Sequence, residues 1–173
     1  MISWFDAIQF ANKMSSLESL EPCYQIDGEN ISLDDLECQG YRLPTEIEWE
    51  IAARAGRKFT YSGSQSPISV AIFKFNSDKK TASVGSKKPN DFGLYDMNGN
   101  VHEWCQDFYG SYLDLNKTNP MNTIEHKNRI GRGGSYRSEK GKLRVANRAA
   151  AIPDMKQDFI GIRLVRGIAK TEE

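Results

Sequence analysis

An α+β fold with low regular secondary structure follows from three features of the chain. Two helical segments lie in the N-terminal third, short strand-like runs crowd the C-terminal third, and loops rich in Ser, Gly, Lys and Asn fill the middle. The 173 residues, 39% hydrophobic and 27% charged, are enough for one core, so a single domain spanning 1–173 is expected.

The first helix is signalled over residues 3–16. Ser3 stands as N-cap with Asp6 three residues on, and Ala7, Ile8, Ala11 and Met14 follow at helical spacing. Residues 22–41 alternate turn formers with short apolar runs: Cys23 to Ile26, then Asp27-Gly28, then Ile31. This predicts a small hairpin and a following loop. The second helix is predicted within residues 42–56. Thr45 and Glu48 form a T-x-x-E capping box, Trp49, Ala52 and Ala53 share a face, and Gly56 ends the run. From 57 to 92 only Phe59 to Tyr61 and Val70 to Phe75 look strand-like. Further strands are expected over 129–135, 143–146 and 159–165, with a frayed tail at 168–173.

Charge narrows the function classes. Acidic and basic residues number 23 each, a balance that argues against a nucleic-acid or anionic-membrane partner. No apolar run of about 18 residues exists, and the N-terminus lacks the pattern of a signal peptide. A cytoplasmic location is expected if Met1 is the true start. Cys23, Cys38 and Cys105 are an odd set at wide spacing. They are expected to be buried thiols in a reducing compartment, with a Cys23–Cys38 bridge as the alternative. Two histidines, His102 and His126, disfavour a histidine-rich metal site.

The most informative stretch is GLYDMNGNVHEW, residues 93–104. Its alternating Asp96, Asn98 and Asn100 suggest an EF-hand. That loop needs glycine at its sixth position and glutamate at its twelfth, whereas Gly99 is fourth and Asp107 is twelfth. A different calcium geometry stays open, with carboxylate oxygens from Asp96 and Glu103 and backbone carbonyls from Gly99 and Val101. The competing reading is an ion-free turn whose carboxylates cap backbone N–H groups.

Five motifs, YRLPTEIEWEIAARAG, GLYDMNGNVHEWCQDFYG, RGGSYRS, RVANRAA and FIGIRLVR, occur here in the order and rough spacing of the formylglycine-generating enzyme, or sulfatase-modifying factor, family. SWFDAIQFAN resembles the helix that precedes them, so the resemblance covers almost the whole chain. It implies a C-type-lectin-like fold of the sulfatase-modifying-factor type and calcium held at Asp96, Gly99, Val101 and Glu103. A second family site would begin near Asn76 and Ser77, but its downstream ligands have no clear counterpart between Asp78 and Val84. The family domain also begins several tens of residues before this helix. The chain therefore resembles an N-terminally shortened member, either a trimmed variant or a piece of a longer bacterial protein, and a homodimer, a larger parent protein or a compensating rearrangement is expected to complete the fold.

Formylglycine generators resemble copper oxidases that use two cysteines between the GGS and R-x-A-x-R motifs. Here that interval, GGSYRSEKGKLRVANR, contains none, and Ser138 stands where the first would fall. A hydroxyl cannot replace thiolate on Cu(I), so no copper is expected and no formylglycine-generating activity. The related sulfoxide synthases need three histidines and a helical bundle, and only two histidines exist. RGGSY is also not the G-x-S-x-G elbow of a serine hydrolase. The loop after GGS still offers Tyr136, Arg137, Ser138 and Lys140 to a protein or peptide-like ligand, unless it is simply a solvated loop. Scaffolds of this type also carry variable ligand-binding surfaces in retroelement-diversified proteins, which the C-terminal loops resemble. The expected function is a calcium-stabilised, non-catalytic binding module, with a divergent enzyme of the formylglycine-generating or sulfoxide-synthase type as the alternative.

Overall fold

Local capping signals set both helices. In the computed structural model, which describes residues 1–28, 30–33, 35–111 and 120–167, helix α1 spans Trp4–Leu17 and helix α2 spans Glu46–Arg54. The Ser3 hydroxyl accepts the Asp6 N–H while Asp6 accepts the Ser3 N–H, and Thr45 and Glu48 repeat the exchange. Helix α2 ends at Ala55, which takes the left-handed conformation one residue before Gly56. Trp4, Ala7, Ile8 and Ala11 present one buried stripe of α1 to the main core, where Leu43 and Trp104 meet it.

The predicted hairpin forms, with β1 at Tyr24–Asp27 antiparallel to β2 at Asn30–Leu33 around the Asp27-Gly28 turn. Short β3, Tyr41–Arg42, pairs with β8, Val165–Arg166. The remaining strands are β4 (His102–Phe108), β5 (Arg129–Arg132), β6 (Ala149–Ala151) and β7 (Ile160–Gly161). They form one sheet in the order β6-β5-β4-β7, in which only β4 and β7 run parallel. Central β4 buries five residues in succession, Glu103 to Asp107, because both its faces are covered.

Several local expectations are corrected. Residues 143–146 are not a strand: Lys140–Leu143 forms a short 3-10 helix, and Leu143 and Val145 anchor the turn in the core. Residues 159–165 divide into β7 and β8 rather than one strand. Val70, Ala71, Ile72 and Phe73 are all buried, so the expected alternation is absent, and only an isolated Ile72–Gly99 bridge forms there. Similarly, Phe59 to Tyr61 yields one isolated bridge from Tyr61 to Ser64. The tail 168–173 lies outside the described residues.

The three-thiol expectation is also overturned. Cys23 and Cys38 form a disulfide, because the α1–β1 connection and the segment after β2 bring their Cα atoms to 5.6 Å. Cys105 remains free and buried, and burial pushes its thiol pKa up. With its cysteines 15 positions apart in sequence, the bridge restrains the unfolded chain enough to contribute about 3 kcal/mol. Urea unfolding of the Cys23→Ser/Cys38→Ser double variant should show a loss of that size. Reductant should reproduce it in the unmodified chain, and coincident curves would rule the contribution out.

Candidate functional site

The turn at 93–104 is built by residues that tolerate unusual backbone angles. Gly93, Asp96, Gly99 and Asn100 all have positive φ, between 58° and 75°, a region in which Asp and Asn are the best tolerated side chains after glycine. Gly99 is required on steric grounds, since a Cβ there would lie 2.0 Å from the Ile72 carbonyl oxygen. Its neighbours stitch other loops to the turn. Asn98 exchanges hydrogen bonds with the Ser62 backbone, and Asn100 does the same with Ala82. Met97 is buried in the core with Trp49 and Cys105, and β4 begins at His102, carrying Glu103 into the interior.

Glu103 is only 5% exposed and accepts three hydrogen bonds. Its Oε2 accepts the Trp49 indole N–H at 2.7 Å and Arg163 Nε at 2.9 Å, while Oε1 accepts Arg163 Nη2 at 2.8 Å. Arg163 Nη2 also donates to the Tyr95 carbonyl at 2.8 Å. Burial alone would lower the Arg163 pKa. The charge and hydrogen bonds of Glu103, with Asp96 behind it, outweigh that and hold it above its ordinary value. Asp96 accepts the Gly85 N–H at 2.7 Å through Oδ2.

Asp96, Val101 and Glu103 therefore line one cavity of about 450 Å³, shared with Arg163. Gly99 is not among its lining residues and packs against the Ile72 and Gly133 backbones. Among the described residues, no three His, Cys, Asp or Glu side chains converge as metal ligands. A cation in this cavity would meet oxygen donors from two carboxylates, a hard set suited to calcium rather than a soft metal, but also the Arg163 guanidinium that already pairs with Glu103. The capping and pairing seen at Asp96 and Glu103 leave further lone pairs on both carboxylates. At the second family position, Asn76 bonds the backbones of Phe73 and Ala71, and Ser77 donates to the Tyr136 carbonyl.

The loop after GGS splits the four predicted ligand-binding residues. Tyr136 is buried, and its hydroxyl donates to Asp158 at 3.0 Å while accepting Arg137 Nε at 2.7 Å. Exposed Arg137 also donates to Asp158 at 2.6 Å, so these three residues form one cluster. Ser138 turns the other way: its hydroxyl accepts the Ser135 N–H and lies 3.3 Å from the Ser135 hydroxyl. Lys140 opens the 3-10 helix on the surface and joins neither group. Asp158 and the Glu103–Arg163 pairing are the members sequence reasoning missed. The partners lie 60 residues apart for Glu103 and Arg163, and no local pattern links them.

Residues 1–168 match the sulfatase-modifying factor enzyme 1-like domain. A Paenibacillus barcinonensis protein named chaperone protein LppX is 36% identical over 179 residues, covering 84% of this chain and 61% of that protein. A Streptomyces coelicolor formylglycine-generating enzyme is 34% identical over 144 residues, covering 72% of this chain and 46% of that enzyme. The chain thus spans less than two thirds of the length of either relative. The solved structure of Treponema denticola variable protein 1 matches with a TM-score of 0.88 at 32% identity, covering 96% of this chain and 70% of that one. Two helices with several short strands are the α+β architecture that the motifs implied.

Proposed function

The chain belongs to the sulfatase-modifying factor enzyme 1-like family, and from that premise we propose that it is a non-catalytic ligand- or protein-binding module whose scaffold is stabilised by calcium. The observation that carries the reading is the absence of any thiol between Gly133 and Arg148, with Ser138 at the first cysteine position. Ser138 holds the Ser135 backbone and hydroxyl, a turn-building role. Of the three cysteines elsewhere, two are joined and Cys105 is sealed in the core, where burial disfavours its thiolate.

Calcium would be held by Asp96 and Glu103 with the Val101 carbonyl, without the expected Gly99, which lies off the cavity, and it would supply charge that ties the 93–104 turn to β4. Of the four expected residues Tyr136, Arg137, Ser138 and Lys140, the binding face would use Arg137 and Lys140, which are exposed and cationic and so suit an acidic or peptide-like partner, with Tyr136 and Ser138 shaping the loop behind them. A relative named a chaperone protein agrees with a protein partner, whether a second copy or a larger parent chain.

Identity to a named formylglycine-generating enzyme favours the second reading, a divergent enzyme acting on a protein or thiol substrate. Oxygen uptake with added copper and a cysteine-containing peptide separates the two. The expected result is uptake no faster than copper and peptide alone. Stoichiometric, thiol-dependent turnover by the chain would replace the binding-module reading with the enzymatic one.

A further inference from the structure

We infer that the cleft between the β1–β2 hairpin and the Phe108 and Arg129 ends of β4 and β5 is a binding site for a carboxylate, which the Arg129 guanidinium receives. The cleft has a volume of about 590 Å³, within the range of small-ligand sites. It lies at the opposite end of the β4–β5 pair from the Ser135–Lys140 loop, because Arg129 starts β5 and Ser135 follows its end. It is therefore independent of the binding face proposed above.

The guanidinium is held in a fixed plane. The Trp4 ring centroid lies 4.0 Å from its central carbon and that of Phe108 lies 3.4 Å away. With both faces covered, Arg129 can donate only through its edges. Nη1 donates to the Gln106 carbonyl at 2.7 Å. Nε and Nη2, the edge that matches a carboxylate in a paired hydrogen bond, have no protein partner among the described residues and are not sealed from solvent.

The contrast with the other inward-facing arginines is informative. Arg42, Arg132, Arg148 and Arg163 each touch a glutamate, whereas Arg129 forms no ion pair among the described residues. Burial lowers its pKa to about 10, and Asp107, Tyr24 and Glu125 only partly restore the charged form. The cation is thus desolvated without a contacting counter-ion, and a bound carboxylate would supply one. Asp27 and Glu125 also line the cleft and would repel a phosphate dianion more strongly than a single carboxylate.

The test uses the full chain with 15N-labelled side chains and three probes. They are N-acetylglycine for a chain-end carboxylate, N-acetylaspartate α-amide for a side-chain carboxylate, and N-acetylglycinamide as the neutral match. At least one carboxylate probe should shift the Arg129 Nε–H and Trp4 indole resonances saturably, and whichever does so identifies the source. The neutral amide should not. Arg129→Lys keeps the charge but loses the paired edge, so Kd should rise about tenfold or more. The probe comparison on the unmodified chain stands even if that variant folds poorly. Equal responses to the neutral and charged glycine probes, or no saturable shift with either carboxylate, would overturn the inference.

Discussion

Replacing Arg132 by alanine is expected to destabilise the fold by about 3–5 kcal/mol, measured as a lower urea midpoint at unchanged slope. Arg132 has no solvent exposure. Its Nη1 donates to Glu46, and its Nη2 donates to Glu50 and to the Val145 carbonyl, both at 2.6 Å, beside the Trp49 ring. The carboxylates would not be orphaned, because Arg148 still holds Glu46 and Arg54 still holds Glu50. Most of the loss should therefore come from the cavity under Trp49 and the unpaired Val145 carbonyl. Arg132→Met fills that space without the charge and should lose clearly less than alanine. If methionine is as damaging as alanine, the ion pairs dominate instead. Burial would raise the Glu50 pKa, but the hydrogen bonds and charges of Arg132 and Arg54 hold it below the ordinary carboxylate value. Its contribution is present above that ordinary value and lost as pH falls through the lowered one, so the gap between wild type and Arg132→Ala should narrow in acid.

What could be read from the chain alone was what depends on neighbours in sequence. Both helices were legible because each cap is satisfied three residues away, at Ser3 with Asp6 and at Thr45 with Glu48. The hairpin was legible because Asp27-Gly28 supplies its turn. Strand β4 was not, since Glu103 to Asp107 are buried on both faces and show no period of two. The Cys23–Cys38 bridge was legible only as the alternative to free thiols, because spacing does not say which loops meet. At the candidate sites, the motif resemblance identified Asp96, Gly99, Val101 and Glu103 as a group, and the fold places Asp96, Val101 and Glu103, but not Gly99, on one cavity. It could not reveal that Trp49 and Arg163, 54 and 60 residues from Glu103, converge on its carboxylate. Nor could it reveal Arg129 lodged between Trp4 and Phe108. Such contacts belong to the tertiary assembly and leave no periodic trace in sequence.

Glu103→Ala should act in two separable ways. Without calcium it should destabilise the fold by about 3–5 kcal/mol, because Arg163, only 24% exposed, loses its counter-charge and the buried Trp49 indole N–H loses its acceptor. Glu103→Gln keeps an oxygen for Trp49 and fills the same volume, so its loss should be smaller. The second effect concerns the metal. For the unmodified chain, calcium added after thorough chelation should raise Tm, with a stabilisation of about 2.7 kcal/mol once free calcium reaches a hundred times Kd. Both Glu103 variants remove an anionic oxygen from the donor set and should flatten that response, as should Asp96→Ala, which leaves the Trp49–Glu103–Arg163 contacts untouched. Asp96→Ala is the decisive arm, since a lost calcium response there cannot come from unpairing Arg163. If chelated wild type melts at the same temperature with and without calcium, Asp96 and Glu103 act solely as a backbone cap and an arginine counter-ion.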